Sequence, residues 1–287
     1  MQPIHPAVRR MRHDATADPE AFWGRAAAQL PWLRPWDRVF EHEYPTFRWF
    51  VGGQTNLAYN ALDHHIQRGW GGHVALIAFN ERGARRVLSY AMLLHEVERA
   101  AAALRGMGIA KGDRITIYMP TCAEAIILML ATVRIGAIHS VVFAGFGAGA
   151  LADRINASGS RLVFTADITY RKGKDVPIKG LVDSALDLVC PTVEAVVVLK
   201  RGSDAPFKDG RDIAWDAFRA RGEGHDSGYI ALESNEPVFI LATSGTTTKP
   251  KLAVHKHGGY QVQIHSMASW MFGLRETDVW WSMSDIG

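Results

Sequence analysis

Cysteine is nearly absent: Cys122 and Cys190 are the only two in 287 residues, far apart and without C-x-x-C spacing. That scarcity argues against a disulfide framework or a structural zinc site and points to a reducing compartment, taken here as the cytoplasm, with both thiols expected in the core. Long apolar runs are lacking too. The most apolar stretch, Ile126 to Val133, is flanked by Glu124 and Arg134 and is shorter than the ~20 residues a membrane crossing needs. Charge of one sign is not concentrated either. The net charge is +3 with basic residues spread along the chain, so neither a nucleic-acid stripe nor a polybasic membrane patch is indicated, and small anions remain as ligands. Arg9, Arg10 and Arg12 precede the first acid, Asp14, without serine between them; a disordered leader is expected there rather than a transit peptide.

What is present is the composition of a globular protein, 48% hydrophobic and 21% charged, with material for one large domain or two smaller ones. Phe22, Trp23, Ala26, Ala27 and Leu30 recur at helical spacing, predicting a helix from Asp18 to Leu33. Aromatic residues and prolines then alternate without a period from Trp32 to Phe50, which reads as an extended arm. Asn56 to His65 reads as helical. Its Asp63-His64-His65 does not make a metal site, because side chains at i, i+1 and i+2 diverge on a helix; a solvated helix end is expected. His95-Glu96-Val97-Glu98-Arg99 lacks the second histidine of a zinc helix, and no residue is assigned to a metal.

From residue 73 the pattern is regular. Strands are predicted at His73–Phe79, Asp113–Met119, Ala137–Phe143, Leu162–Thr165 and Ala195–Leu199. Between them lie helices at Ser89–Met107, Ala123–Ile135, Ala148–Ala157 and Leu181–Val189. This alternation predicts an α/β fold with mostly parallel sheets covered by helices. Gly202 to Gly228 is polar and glycine-rich, with a short helical pattern at Trp215–Ala220, and reads as a connector. A helix at Gly259–Phe272 and a strand at Asp278–Met283 complete the pattern.

Thr243-Ser244-Gly245-Thr246-Thr247-Thr248-Lys249-Pro250-Lys251 lies between the apolar runs Val238–Ala242 and Leu252–Val254. It reads as strand, hydroxyl-rich loop, strand. Backbone and hydroxyl donors followed by two lysines suit the oxygens of a polyphosphate, although the same residues are ordinary turn chemistry. The G-x-x-x-x-G-K-[ST] spacing of the common P-loop is absent.

This loop resembles the phosphate-binding signature of the adenylate-forming enzymes. His255-Lys256-His257-Gly258-Gly259-Tyr260 resembles the segment immediately C-terminal to that signature in short-chain acyl-CoA synthetases. Arg48 to Leu57 with Tyr59-Asn60, and Gly136 to Phe146, are similar to further blocks of the acetyl- and propionyl-CoA synthetases. Leu232 to Pro237 and Ser284 to Gly287 lean to the propionyl branch. The resemblance implies ATP-dependent activation of a short carboxylate to acyl-AMP, then acyl transfer to CoA. It assigns ATP phosphates, with Mg2+, to Thr243, Ser244, Gly245, Thr246, Thr247, Thr248 and Lys249, and a catalytic role to Lys251. It assigns the nucleotide end of CoA to Arg171, Lys172, Gly173 and Lys174, with Gly145 as a point of close backbone approach. It further implies an N-terminal arm and lead-in segment over 1–70 and an incomplete AMP-binding (adenylation) domain over 71–287. The acyl pocket, the adenine and ribose segments and a mobile C-terminal domain are then expected beyond Gly287, in the remainder of the same polypeptide, and the piece alone is expected to be inactive. Thr248 and Leu252 stand where the signature has glycine. A positive φ there would cost a β-branched or bulky residue about 1–2 kcal/mol. An adenylating enzyme with another acceptor and a non-catalytic paralogue are the alternatives.

Overall fold

The computed structural model describes residues 4–202, 204–243, 251–282 and 284–287. Helix α1 (Pro6–Ala17) begins with proline, and Nδ1 of His5 accepts a hydrogen bond from the Ala7 N–H at 3.2 Å. Helix α2 (Pro19–Ala27) repeats the device, with Asp18 Oδ1 accepting from the Ala21 N–H at 2.9 Å. Proline suits a first helical position because its fixed φ is already helical and its missing N–H would have no partner there. The expected disordered leader is therefore corrected to a helix. Its polarity kept it out of the core, since α1 buries no residue, but alanine, arginine and the proline start are sufficient for helix geometry.

The aromatic arm is a hairpin rather than an extended segment. Strands β1 (Arg38–Glu43) and β2 (Thr46–Val51) pair antiparallel, with Phe40 opposite Trp49 and His42 opposite Phe47. Both ring pairs have centroids 4.5 Å apart, so cross-strand aromatic contact supplies the register that a period alone did not reveal. Strand β3 (Gln54–Thr55) comes next, then a π-helical turn at Tyr59–Asp63 and α3 (His64–Gln67). Asp63 is not a solvated helix end. Its carboxylate accepts from buried Arg134 at 2.7 and 3.1 Å.

The remaining elements are β4 (Val74–Phe79), β5 (Arg85–Ser89), α4 (Tyr90–Gly106), β6 (Arg114–Tyr118), α5 (Ala123–Arg134), β7 (Ile138–Val141), α6 (Ala148–Ser158), β8 (Leu162–Ala166), β9 (Ile168–Arg171), β10 (Lys174–Pro177), α7 (Lys179–Asp187), β11 (Ala195–Leu199), β12 (Asp212–Ala214), α8 (Trp215–Ala220), β13 (Leu232–Glu233), β14 (Pro237–Thr243), β15 (Lys251–Lys256) and α9 (His257–Trp270). The predicted strand at Asp278–Met283 is absent among the described residues. Trp280 and Trp281 are 56% and 79% exposed, and Trp280 rests on Phe272 instead of on a neighbouring strand.

By contact density the chain forms two compact units. The first comprises Met1–Asn56, Ala231–Glu236 and Lys256–Trp281. Its apolar centre is Ala26, Ala27, Phe50 and Val262, surrounded by tryptophans 23, 32, 36 and 49. Asn235 clasps β2 by accepting from the Trp49 N–H and donating to the Trp49 carbonyl, both at 3.0 Å. A Cβ on Gly258 would lie 1.8 Å from Ser234 Oγ, which explains the glycine at this crossing.

The second unit comprises Leu57–Ile230, Pro237–His255 and Ser282–Gly287. It holds the α/β sheet, in the order β12-β11-β8-β6-β7-β14-β15. Alternate residues feed different faces. Leu162, Phe164 and Val197 join a core with α4, α5 and α8, whereas Val163, Val196 and Val198 join one with α6 and α7. Covering both faces is why these strands read as continuous apolar runs. The connector over 202–228 contributes more than expected, because β12 adds to the sheet in parallel with β11.

Candidate functional site

Strands β6, β7, β8, β11 and β14 are linked by parallel pairings, so their carboxyl ends reach one edge of the sheet. Open α/β sheets bind ligands outside that edge. A cavity of about 360 Å³ lies there, lined by residues just past the strand ends: Thr121 after β6, Ala144 after β7, Thr169 and Tyr170 after β8, and Arg201 after β11. Arg171 and Asp285 complete the wall, with Asn80 and Glu81 from the turn after β4.

Two sequence-predicted residues 26 positions apart meet at this cavity. The Arg171 guanidinium lies over the Phe143 ring, 4.9 Å from its centroid. A Cβ on Gly145 would fall 2.8 Å from Arg171 Nη2 and 2.4 Å from Phe143 Cε1. Glycine is therefore the residue that lets the β7 loop lie against the arginine. Behind it, the buried Tyr118 hydroxyl donates to the Phe146 carbonyl at 2.7 Å. Burial pushes that phenol's pKa up, against a smaller opposing effect of Arg171, so the proton that makes this bond stays in place.

Lys172 and Gly173 form the turn between β9 and β10, with φ of 50° and 74°. Two successive positive φ values make a two-residue hairpin turn that glycine suits and lysine does not. Lys172→Gly is accordingly expected to stabilise the chain by about 0.5–1 kcal/mol, after the flexibility of glycine in the unfolded chain offsets part of the relieved strain. A urea midpoint that falls or stays constant would contradict this account of the turn. Lys174 is directly opposite Arg171 across the hairpin, so the turn presents two cations side by side.

The hydroxyl-rich loop expected to bind phosphate is described only at its ends. Ser244, Gly245, Thr246, Thr247, Thr248 and Lys249 lie outside the described residues. Thr243 ends β14 and Lys251 begins β15, and Thr243 Oγ1 donates to the Lys251 carbonyl at 3.2 Å. Because β14 runs parallel to β7, these two residues stand at the same carboxyl edge as the cavity. Leu252, one of the two departures from the glycine pattern, lies within β15 and is not among the residues with positive φ. The strain expected for a side chain there does not arise.

Tyr170, Arg201 and Arg82 were not singled out in the sequence. Arg82 and Arg201 hold their guanidinium carbons 4.4 and 4.6 Å from the Tyr170 ring centroid. The signal was positional: Lys200-Arg201 directly succeeds an apolar strand, at the edge where ligands bind. Beside them, Cys122 carries no nucleophile. Burial above all, aided by Glu124, pushes its thiol pKa up to about 12, and a thiol rather than a thiolate is a poor nucleophile.

The sequence profile described as "AMP-binding enzyme" matches residues 62–287, and the one described as "Acetyl-coenzyme A synthetase N-terminus" matches residues 8–61. The acetyl-coenzyme A synthetase of Deinococcus radiodurans is 47% identical over 273 residues, covering 94% of this chain and 41% of the relative. The 3-hydroxypropionyl-coenzyme A synthetases of Sulfurisphaera tokodaii and Metallosphaera sedula are 45% and 43% identical, each covering 94% of this chain and 41% of its own length. The chain thus spans about two-fifths of the length of these relatives. The parallel sheet covered on both faces, the profile matched from residue 62 to 287 and these identities together make the chain a member of the AMP-binding enzyme family.

Proposed function

We propose that this chain is part of an ATP-dependent acyl-CoA synthetase that converts a short carboxylate, propionate or acetate, to acyl-AMP and then to acyl-CoA. The observation that carries the reading is the common carboxyl edge, which gathers the ends of the phosphate loop and the Arg171 cavity in one sheet. The relatives named as acetyl- and 3-hydroxypropionyl-coenzyme A synthetases support short acids. In the first step a carboxylate oxygen bonds to the α-phosphorus of ATP and the bond to pyrophosphate breaks. Negative charge grows on the departing pyrophosphate. The donors of residues 243–249 and the Lys251 ammonium would stabilise it, as fixed donors do where charge develops in a transition state. Mg2+ would accompany the phosphates, its usual mode of binding. In the second step the CoA thiol, losing its proton, attacks the acyl carbon and AMP leaves.

In this reading residues 1–70 form the arm and lead-in segment and 71–287 the adenylation part. Arg171, Lys172, Gly173 and Lys174, with Gly145, hold the phosphates of CoA; arginine donates two hydrogen bonds to one phosphate. The protein works in the cytoplasm together with the remainder of its polypeptide and needs neither nucleic acid nor membrane. Among the described residues no helix is long and apolar enough to cross a bilayer.

The test separates the two steps. In the longer protein, Arg171→Ala is expected to raise the KM for CoA about tenfold or more and to leave carboxylate-dependent exchange of pyrophosphate into ATP unchanged. Equal loss of both activities would remove Arg171 from the CoA site. The 287-residue chain alone is expected to release no AMP on addition of propionate, ATP and CoA.

A further inference from the structure

The cavity at the carboxyl edge holds more cationic groups than the hairpin supplies. Arg201 lines it and lies over Tyr170, whose hydroxyl donates to the Arg201 carbonyl at 3.2 Å. The placement of Arg201 is built from beneath. Asp167, 2% exposed at the end of β8, accepts from the Arg201 N–H at 2.8 Å through Oδ1 and from the Gly202 N–H at 2.9 Å through Oδ2. The same carboxylate accepts from the Ile168 N–H at 2.7 Å, at the start of the strand that carries Tyr170 and Arg171. A buried carboxylate that receives three backbone N–H groups is satisfied only in one arrangement of the surrounding chain. Asp167 therefore ties the loop after β11 to the root of the β9–β10 hairpin, and so fixes Arg201 relative to Arg171.

We infer that Arg201 is a further anion-binding residue of the same cavity, reading a second phosphate of an adenine nucleotide that carries phosphates at two positions, and that Asp167 is its positioning residue. The inference rests on the CoA reading of Arg171, since the nucleotide end of CoA is of this class. Three further features fit it. Arg171 stands on β9 and Arg201 on the loop after β11, two supports that suit phosphates on different ribose oxygens. The ring of Tyr170 holds the Arg201 guanidinium by cation–π attraction, and Arg82 shares that ring. Arg82 is also paired with Asp175 of the hairpin, whereas among the described residues the Arg201 side chain contacts a backbone carbonyl and a ring and no carboxylate, which leaves its charge for a ligand.

The probes are adenosine 3′,5′-bisphosphate, adenosine 3′-monophosphate and adenosine 5′-monophosphate, titrated calorimetrically into the 287-residue chain. Arg171→Gln is expected to weaken the bisphosphate at least tenfold. Arg201→Gln is expected to weaken the bisphosphate about tenfold and one of the monophosphates alike, leaving the other monophosphate unchanged. Arg201→Lys should restore part of the loss. Asp167→Asn should reproduce the ligand pattern of Arg201→Gln, and the double variant should bind no worse than Arg201→Gln alone. Loss with Arg171→Gln but none with Arg201→Gln overturns this inference and leaves the CoA reading standing. No binding of the bisphosphate by the unaltered chain, or an unaffected Arg171→Gln, overturns both. Equal weakening of all three probes by Arg201→Gln shows a merely structural residue. Asp167→Asn that lowers Tm yet binds normally removes the positioning role.

Discussion

Asp212→Ala is expected to destabilise the chain by about 3–5 kcal/mol, read as a fall in the urea midpoint at constant m. The carboxylate of Asp212 is fully buried and lies 2.7 Å from Lys179 Nζ and 2.7 Å from Arg211 Nε. It also accepts from the Lys208 N–H at 2.8 Å. The Lys179 side chain is 1% exposed, with Asp183 at 2.8 Å as its other anion, and Asp183 is itself shared with Arg211. Removing Asp212 thus leaves buried Lys179 and partly exposed Arg211 sharing one carboxylate, that of Asp183, and it frees β12 at the sheet edge. Burial alone would raise the Asp212 pKa, but hydrogen bonds from Arg211 and Lys179 outweigh it and hold the carboxyl below its ordinary range. A folded-state pKa below the unfolded one contributes stability above the unfolded value, near pH 4, and loses it as pH falls through the folded value. The unaltered chain should therefore lose this contribution at the acid end, while Asp212→Ala should show a flatter acid limb. A cost under 1 kcal/mol for both Asp212→Ala and Asp212→Asn would mean that the cluster does not hold the edge.

The second large effect concerns chemistry. In the full-length synthetase proposed above, Lys251→Ala is expected to reduce carboxylate-dependent pyrophosphate exchange about 10²–10³-fold, the usual consequence of deleting one donor to developing charge. Lys251 is exposed at the start of β15, with its backbone pinned by the Thr243 hydroxyl. Its loss should therefore change stability by no more than about 0.5 kcal/mol, which separates a catalytic effect from unfolding. Lys251→Arg should recover part of the rate, since charge is retained while the geometry of the donor changes. A rate within threefold of the unaltered enzyme would remove Lys251 from the reaction.

Elements with a strong period were legible from residue types. Helices α4 and α5 fall within a residue of expectation, because Ser89 caps one by accepting from the Met92 N–H and the other is apolar enough that eight of its twelve residues are buried. Strand β5 was missed because Arg85 and Arg86 interrupt its alternation, and β12 because three residues carry no period. The β9–β10 hairpin escaped notice because its turn is Lys172-Gly173, and lysine does not announce a positive φ. The last predicted strand failed for the opposite reason. Its tryptophans look like core, yet no described strand pairs with this segment, and burial belongs to neighbours rather than to residue type. For the candidate site, the loop over 243–251 was legible as a phosphate cradle from its donors and lysines and was tied to ATP by resemblance, whereas Arg171 came from resemblance alone. The meeting of Gly145 with Arg171, and the presence of Tyr170 and Arg201 beside them, depends on strand order, which no local pattern encodes.

The tip of the β9–β10 hairpin sets Arg171 and Lys174 as cross-strand partners on one side of a two-residue turn. Like charges so placed repel, and they do so most at low ionic strength, where the Debye length far exceeds their separation. An anion that bridges them gains its own attraction and also relieves that repulsion. Dissolved salt weakens both gains together. Buffer phosphate is therefore a competitor for this hairpin and ionic strength a screen on it, so an affinity measured for the nucleotide proposed above has meaning only at a stated salt concentration.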